Sequence, residues 1–152
     1  TNAERLSKGQ ADSGGSDIAL TRVGKIADGW MTHSVSPQGF QRSWDFILQV
    51  GRDHDRDMSG FDNILYHHIN VNKDRNEALA ESKTFLALYY SADYSKERLE
   101  SWLTYGSPRD CIEHLKLFKA SCCRRITFRI STMGDPMEQF RRVAEEVLPF
   151  VE

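Results

Sequence analysis

Two groups of residues in this sequence have the types and spacing to take part in chemistry. The first is a loop, Ser13, Gly14, Gly15 and Ser16, directly ahead of a helical pattern. Glycines let a backbone approach an anion closely, and the free N–H groups at a helix start suit a phosphate. The alternative is a flexible linker that ends in an N-cap. The second group is a polar strand face. Residues 125–131 read Arg-Ile-Thr-Phe-Arg-Ile-Ser. Successive side chains on a strand point to opposite faces. Ile126, Phe128 and Ile130 therefore share one face, and Thr127, Arg129 and Ser131 share the other. The same alternation in residues 63–71 gathers Tyr66, His68 and Asn70. Arg129 carries a planar fork that suits phosphate or carboxylate, and burying it is costly unless an anion meets it. Arg129 and His68 are thus candidates to hold an anionic group of a substrate or cofactor. The alternatives are an ion pair that only fixes packing, and an open sheet whose polar face is simply wet.

Other chemistries lack their residue patterns. His67 and His68 are adjacent on a strand, so their rings point to opposite faces and do not chelate one ion. No Cys or carboxylate stands at regular ligand spacing, so no metal site is expected. Cys122-Cys123 lacks the Cys-x-x-Cys spacing of a redox pair and reads as a turn with ordinary thiols. The sequence has no Gly-x-Ser-x-Gly, no Walker loop and no paired catalytic carboxylates. A self-contained catalytic set is therefore missing, which fits an enzyme whose cofactor carries the hard chemistry.

The elements that must position these residues are legible from periodicity and caps. Ser16 caps a helix over residues 17–27, and residues 29–34 form a short strand. Ser36-Pro37 starts a helix that carries Phe40, Trp44, Ile47 and Leu48 to about residue 54. Residues 63–71 are rich in β-formers. Asp74 starts the next helix, with Ala78, Leu79, Phe85, Leu86 and Tyr89 on its face, and a short helix over residues 95–103 follows. Ser107-Pro108 opens another, with Cys111, Ile112, Leu115 and Phe118 as its stripe. Residues 125–131 are the clearest strand. Asp135-Pro136 caps a final helix whose expected buried stripe is Met137, Phe140, Val143, Val147 and Leu148. Strands separated by helices of this length point to a parallel sheet with crossover helices.

Composition narrows the partners. The chain has 152 residues, with 20 basic and 22 acidic side chains and a formal net charge of -2. That balance gives no electrostatic reason to expect nucleic acid. No stretch is long and apolar enough to span a membrane. Three cysteines, two of them adjacent, make a poor disulfide framework and point to reduced thiols in a cytoplasmic protein.

Several short stretches, taken in order, carry a resemblance. They are Gly14-Gly15-Ser16-Asp17, Arg22-Val23-Gly24, Ala27-Asp28-Gly29-Trp30, Tyr105-Gly106-Ser107-Pro108, Ile126-Thr127-Phe128-Arg129 and Glu146-Val147-Leu148-Pro149. Over residues 13–152 the chain resembles the C-terminal half of the luciferase-like monooxygenases, a family of flavin- and deazaflavin-dependent oxidoreductases. Residues 1–12 read as an irregular N-terminal segment. The resemblance implies an α/β fold, a partial (β/α)8 TIM barrel to which this chain supplies the last three strands with their helices. It implies reduced FMN or a deazaflavin coenzyme held at the C-terminal ends of the strands, and a small organic substrate. It places Gly14, Gly15 and Ser16 near the cofactor phosphate, with Thr32 as a neighbour, and turns Arg129 and His68 into the lumen. Trp30, Trp44 and Trp102 then become candidates to stack on the ring, although aromatic residues at helical spacing, such as Phe40 and Trp44, more often form core. The family has an apolar strand before the Gly-Gly-Ser loop. Residues 6–12 here are not a strand core, so a truncated or frame-disrupted chain is expected. A half-barrel exposes an unpaired strand edge, which predicts self-association. The alternative function is a non-catalytic half-barrel that acts only through self-association or partner binding.

Overall fold

The computed structural model describes residues 16–151. In chain order the elements are α1 (Asp17–Ile26), β1 (Gly29–His33), α2 (Pro37–Asp53), β2 (Asp62–Val71), α3 (Arg75–Tyr90), α4 (Lys96–Glu100), β3 (Leu103–Gly106), α5 (Pro108–Ala120), β4 (Arg125–Ile130) and α6 (Pro136–Arg142). A π turn (Val143–Val147) and a 3₁₀ turn (Leu148–Phe150) close the described chain. The expected caps start the helices. Ser16 Oγ accepts from the Ala19 N–H at 3.3 Å, and Ser36 Oγ from the Gly39 N–H at 3.1 Å. Ser107 and Asp110 form a full capping box. Each satisfies amides that the helix itself leaves unpaired.

All strand pairs are parallel, as the alternation with helices predicts. β2 is the centre. Its residues 64–66 pair with both β1 and β4, and His68 and Ile69 pair with both β3 and β4. β1 and β3 therefore lie end to end along one edge of β2, with β4 along the other. The sheet is open, and the fold is a partial (β/α) barrel. β3 is an addition to the three strands expected. Its four residues are all buried, so no polar and apolar alternation marks it in the sequence.

One face of the sheet packs on helices. Trp30, Leu65, Phe40, Trp44, Ile47, Phe61 and Phe118 form one cluster there, and Ile69, Val71, Cys111, Leu115, Val143 and Val147 form a second. Burying side chains of this size contributes about 1.5–3 kcal/mol each. α1 approaches α2 closely at Gly24, where an added Cβ would lie 2.8 Å from the Ile47 carbonyl oxygen. Arg56 closes the C-terminal end of α1, donating to Gly24 O and Ala27 O, each at 2.6 Å.

The C-terminal helix departs from its predicted stripe. Val143 and Val147 are buried, but Met137, Phe140 and Leu148 are 62%, 58% and 44% exposed. The reason is that α6 turns polar residues to the sheet. Gln139 exchanges two hydrogen bonds with the Val71 backbone, and Arg142 Nη1 donates to Val71 O at 2.7 Å. These satisfy the C-terminal end of β2, which needs backbone partners more than it needs another methyl group. Pro149 has no N–H to donate back to the preceding turn, and it sits near the start of the 3₁₀ turn, where none is needed.

Candidate active site

The opposite face of the sheet is polar, and the cross-strand register fixes who stands beside whom. Tyr66 pairs with His33 of β1 and Thr127 of β4. His68 pairs with Leu103 of β3 and Arg129 of β4, and Asn70 pairs with Tyr105. Directly paired residues on parallel strands share a face, so Tyr66, His68, Asn70 and Arg129 stand together as alternation predicts. Helix α3 lies over this group near the C-terminal ends of the strands.

Arg129 meets aromatic partners. Its Nη1 donates to the Tyr66 hydroxyl at 3.3 Å, and its guanidinium sits 3.8 Å from the centre of the Tyr89 ring. The Tyr66 hydrogen bond keeps the guanidinium firmly charged. Burial and the hydrogen bond to Tyr66 push the Tyr90 hydroxyl up to about 12. His68 is fully buried, with rings edge-on around it: Trp102 at 5.0 Å, Tyr66 at 5.6 Å and Tyr90 at 6.1 Å between centroids. Burial first, then the Arg129 charge and His33, lowers its pKa to about 4. The imidazole is therefore neutral near pH 7.

Buried polar atoms without partners concentrate here. Both ring nitrogens of His68, the Trp102 Nε1, the Arg129 Nε and the Asn70 Oδ1 have no hydrogen-bond partner. Buried polar groups are nearly always paired, and each unpaired one costs about 1–3 kcal/mol. Their gathering on one face leaves that face with donors and acceptors that no protein group meets. Ser34, just after β1, adds a left-handed backbone (φ 55°) and a buried unpaired Oγ.

The other predicted residues fall elsewhere. Gly14 and Gly15 lie outside the described residues. Ser16 is the N-cap of α1. Thr32 pairs with Leu65, so it shares the helix-packed face and not the face of His68 and Arg129. His67 also turns to the helix side, opposite His68. There its Nε2 meets Thr104 Oγ1 at 3.0 Å, and the same hydroxyl meets His114 Nδ1 at 2.9 Å. Trp30 and Trp44 are core, leaving Trp102 as the tryptophan on the polar face. All three cysteines are free, and burial raises the Cys123 thiol to about 11. No group of three or more potential metal ligands occurs among the described residues. No described helix is long and apolar enough to cross a membrane.

Glu81 and Ser82 of α3 complete the face and were not foreseen. Glu81 accepts from Asn70 Nδ2 at 2.6 Å, and Ser82 Oγ donates to Ser131 O at 3.2 Å. Glu81 left no signal, whereas that for Ser82 was the stripe Ala78, Ser82, Leu86, the buried positions of α3. A serine at its centre is the mark of a helix laid on a polar surface.

No protein-family model and no curated protein matches the chain. Solved structures do. The coenzyme F420-dependent tetrahydromethanopterin reductase from Methanopyrus kandleri matches with a TM-score of 0.69 at 16% identity, over 90% of this chain and 49% of its own. An F420-dependent secondary alcohol dehydrogenase, in complex with an F420–acetone adduct, matches with a TM-score of 0.69 at 15% identity, over 92% and 48%. A long-chain alkane monooxygenase, LadA, matches with a TM-score of 0.61 at 14% identity, over 90% and 39%. The chain thus spans about half the length of the first two. At these identities the likeness establishes the fold.

Proposed function

We propose that this chain is the C-terminal half of an oxidoreductase of the luciferase-like kind, using FMN or a deazaflavin on a small organic substrate. The observation that carries the reading is the set of unpaired polar atoms on His68, Trp102 and Arg129, on the polar face of the half-barrel that α3 covers. The solved structures with this fold include two named as F420-dependent and one named as a monooxygenase, which supports the same reading.

The residues fit such a coenzyme. A flavin or deazaflavin ring is planar, apolar across its faces and lined with acceptors along one edge. Trp102, Tyr66 and Tyr90 offer aromatic surface, and Trp102 Nε1, Arg129 Nε and a His68 nitrogen offer donors. The coenzyme would supply hydride transfer or, as a reduced flavin, oxygen activation. The chain's own work is to orient it and to keep water out. Arg129 would offer a fixed positive charge to an electron-rich oxygen of the coenzyme or substrate, a preorganised electrostatic contribution. His68, held neutral by burial, donates or accepts one hydrogen bond without adding charge. Gly14, Gly15 and Ser16, ahead of α1, would hold the phosphate end. Free thiols accord with a cytoplasmic setting.

Fluorescence titration with FMN and with a deazaflavin coenzyme tests this. One of the two should be quenched saturably, and Arg129→Met should weaken that binding about 10- to 100-fold, the size of a lost charged hydrogen bond. The reading fails if neither is quenched, by the chain alone or by the chain joined to the front half of a matched structure. A second reading, a half-barrel acting through association, draws on β1 and β4, each of which pairs only with β2 among the described residues. Sedimentation over a range of concentrations separates a monomer from such an assembly.

A further inference from the structure

Glu81 projects from α3 into a set of donors on the sheet side. Its Oε1 accepts from Thr132 Oγ1 at 2.7 Å, from the Met133 N–H at 2.8 Å and from the Gly134 N–H at 3.3 Å. Its Oε2 accepts from Asn70 Nδ2 at 2.6 Å. The donors come from β2 and from the loop after β4, while the acceptor comes from a helix between them in sequence. The two amides precede Asp135, the N-cap of α6, so they are not first-turn helix amides. Burial acts to raise the Glu81 pKa, but the hydrogen bonds from Asn70, Thr132, Met133 and Gly134 together hold it below the usual carboxylate range. Adjacent N–H groups, a hydroxyl and a carboxamide converging on one point form a receptor for an oxyanion. Loops after the last strands of a (β/α) barrel commonly bind phosphate.

A second observation points to a ligand. Asn70 is fully buried beside Glu81, yet its Oδ1, an acceptor, has no partner and would take a donor from a ligand next to the anionic group. On the same face, next to Tyr89 and Tyr90 of the same helix, lie the unpaired atoms of His68, Trp102 and Arg129. A helix that merely sealed a finished core would not leave such groups unmet.

We propose that Asn70, Thr132 and the Met133 and Gly134 amides form an oxyanion subsite, filled internally by Glu81, which latches α3 over the candidate site. A carboxylate or phosphate group of the incoming ligand takes the subsite when the helix lifts. This rests on the polar face being a ligand site. The assay uses no coenzyme, so it can fail while the coenzyme reading stands, and the reverse.

The experiment is anion rescue of Glu81→Ala, which removes the occupant and leaves the donors. Thermal unfolding is followed at pH 7 in sodium acetate, sodium phosphate or sodium chloride at matched ionic strength, with the unsubstituted chain as the control for general salt effects. For a dissociation constant of about 10 mM, about 100 mM acetate or phosphate should raise the variant's Tm by roughly 3–6 °C beyond the control. Rescue by acetate alone identifies a carboxylate subsite, and rescue by phosphate alone a phosphate subsite. Adding Thr132→Val should reduce the rescue. If Glu81→Ala does not purify folded, refolding yield in the three salts is the readout. The proposal is overturned if Tm or yield moves equally in all three salts, or no more than in the control.

Discussion

Replacing His68 with leucine tests whether the fold holds this buried histidine neutral. His68 is fully buried, and neither nitrogen has a partner. Leaving such a group unsatisfied costs about 1–3 kcal/mol. Leucine removes that cost but loses the edge-on contacts to Tyr66, Tyr90 and Trp102, worth about 0.5–1.5 kcal/mol each at most. The two nearly offset, so at pH 7 His68→Leu should lie within about 1 kcal/mol of the unsubstituted chain. Acid breaks the balance. In the folded chain the His68 pKa is lowered to about 4, so the imidazole stays neutral while the unfolded chain takes up a proton below its ordinary 6.5. A proton bound only by the unfolded state stabilises it. His68 therefore withdraws stability as pH falls from about 6.5 towards 4, and leucine does not. Linkage between those two pKa values gives a difference of about 2.5 kcal/mol at pH 4.5 and almost none at pH 7. His33, His67 and His114, whose pKa values are also lowered, titrate in both proteins and largely cancel in the comparison. The assay is urea unfolding of both proteins at the two pH values. With a slope of about 2 kcal/mol/M, the midpoint of His68→Leu should gain about 1 M on the parent between pH 7 and pH 4.5. Parallel pH dependences would refute the reasoning, because they would mean that folded His68 takes up protons freely.

Arg129→Met should cost little stability, about 0.5–1.5 kcal/mol for the lost stack on Tyr89 and one long hydrogen bond to Tyr66. Its coenzyme affinity should fall far more, and a large drop in Tm with unchanged affinity would assign Arg129 to packing. Gly24→Ala should lower stability by about 1–3 kcal/mol despite alanine's better helix propensity, because the new Cβ meets the Ile47 carbonyl, which is backbone and cannot swing away. A Tm equal to or above the parent's would contradict the close approach of α1 to α2. Gly106→Ala should also destabilise, since φ there is +113° and the Cβ would crowd the Asp110 carboxylate. Thermal unfolding of that variant is the check.

The parts of this molecule that were legible in its sequence are those that local rules govern. Caps at Ser16, Ser36, Ser107 and Asp135 start helices because they answer unpaired amides within a few residues. Alternation in residues 125–131 placed Arg129 on the face it occupies, because a strand's period does not depend on what covers it. What was not legible depends on distant partners. β3 is too short and too buried to alternate. Met137 and Phe140 have the spacing of a buried stripe, yet Gln139 and Arg142 win the sheet side because the Val71 backbone needs partners. Thr32 follows from register with Leu65, which no local pattern reveals. Glu81 reads as one more charge on a helix, and only the fold brings it to Thr132 and Gly134, some fifty residues away in sequence.

The central claim is that the face of His68, Arg129 and Trp102 receives the coenzyme ring, and the tryptophan indole N–H signals report on it directly. Trp102 lies on that face with its Nε1 unpaired, whereas Trp30 and Trp44 are packed in the core on the other side of the sheet. In nitrogen-15 correlation spectra, titration with FMN or a deazaflavin coenzyme should shift the Trp102 indole signal saturably and leave those of Trp30 and Trp44 in place. Shifts confined to Trp30 or Trp44, or a Trp102 signal that does not move while coenzyme binds, would contradict the account.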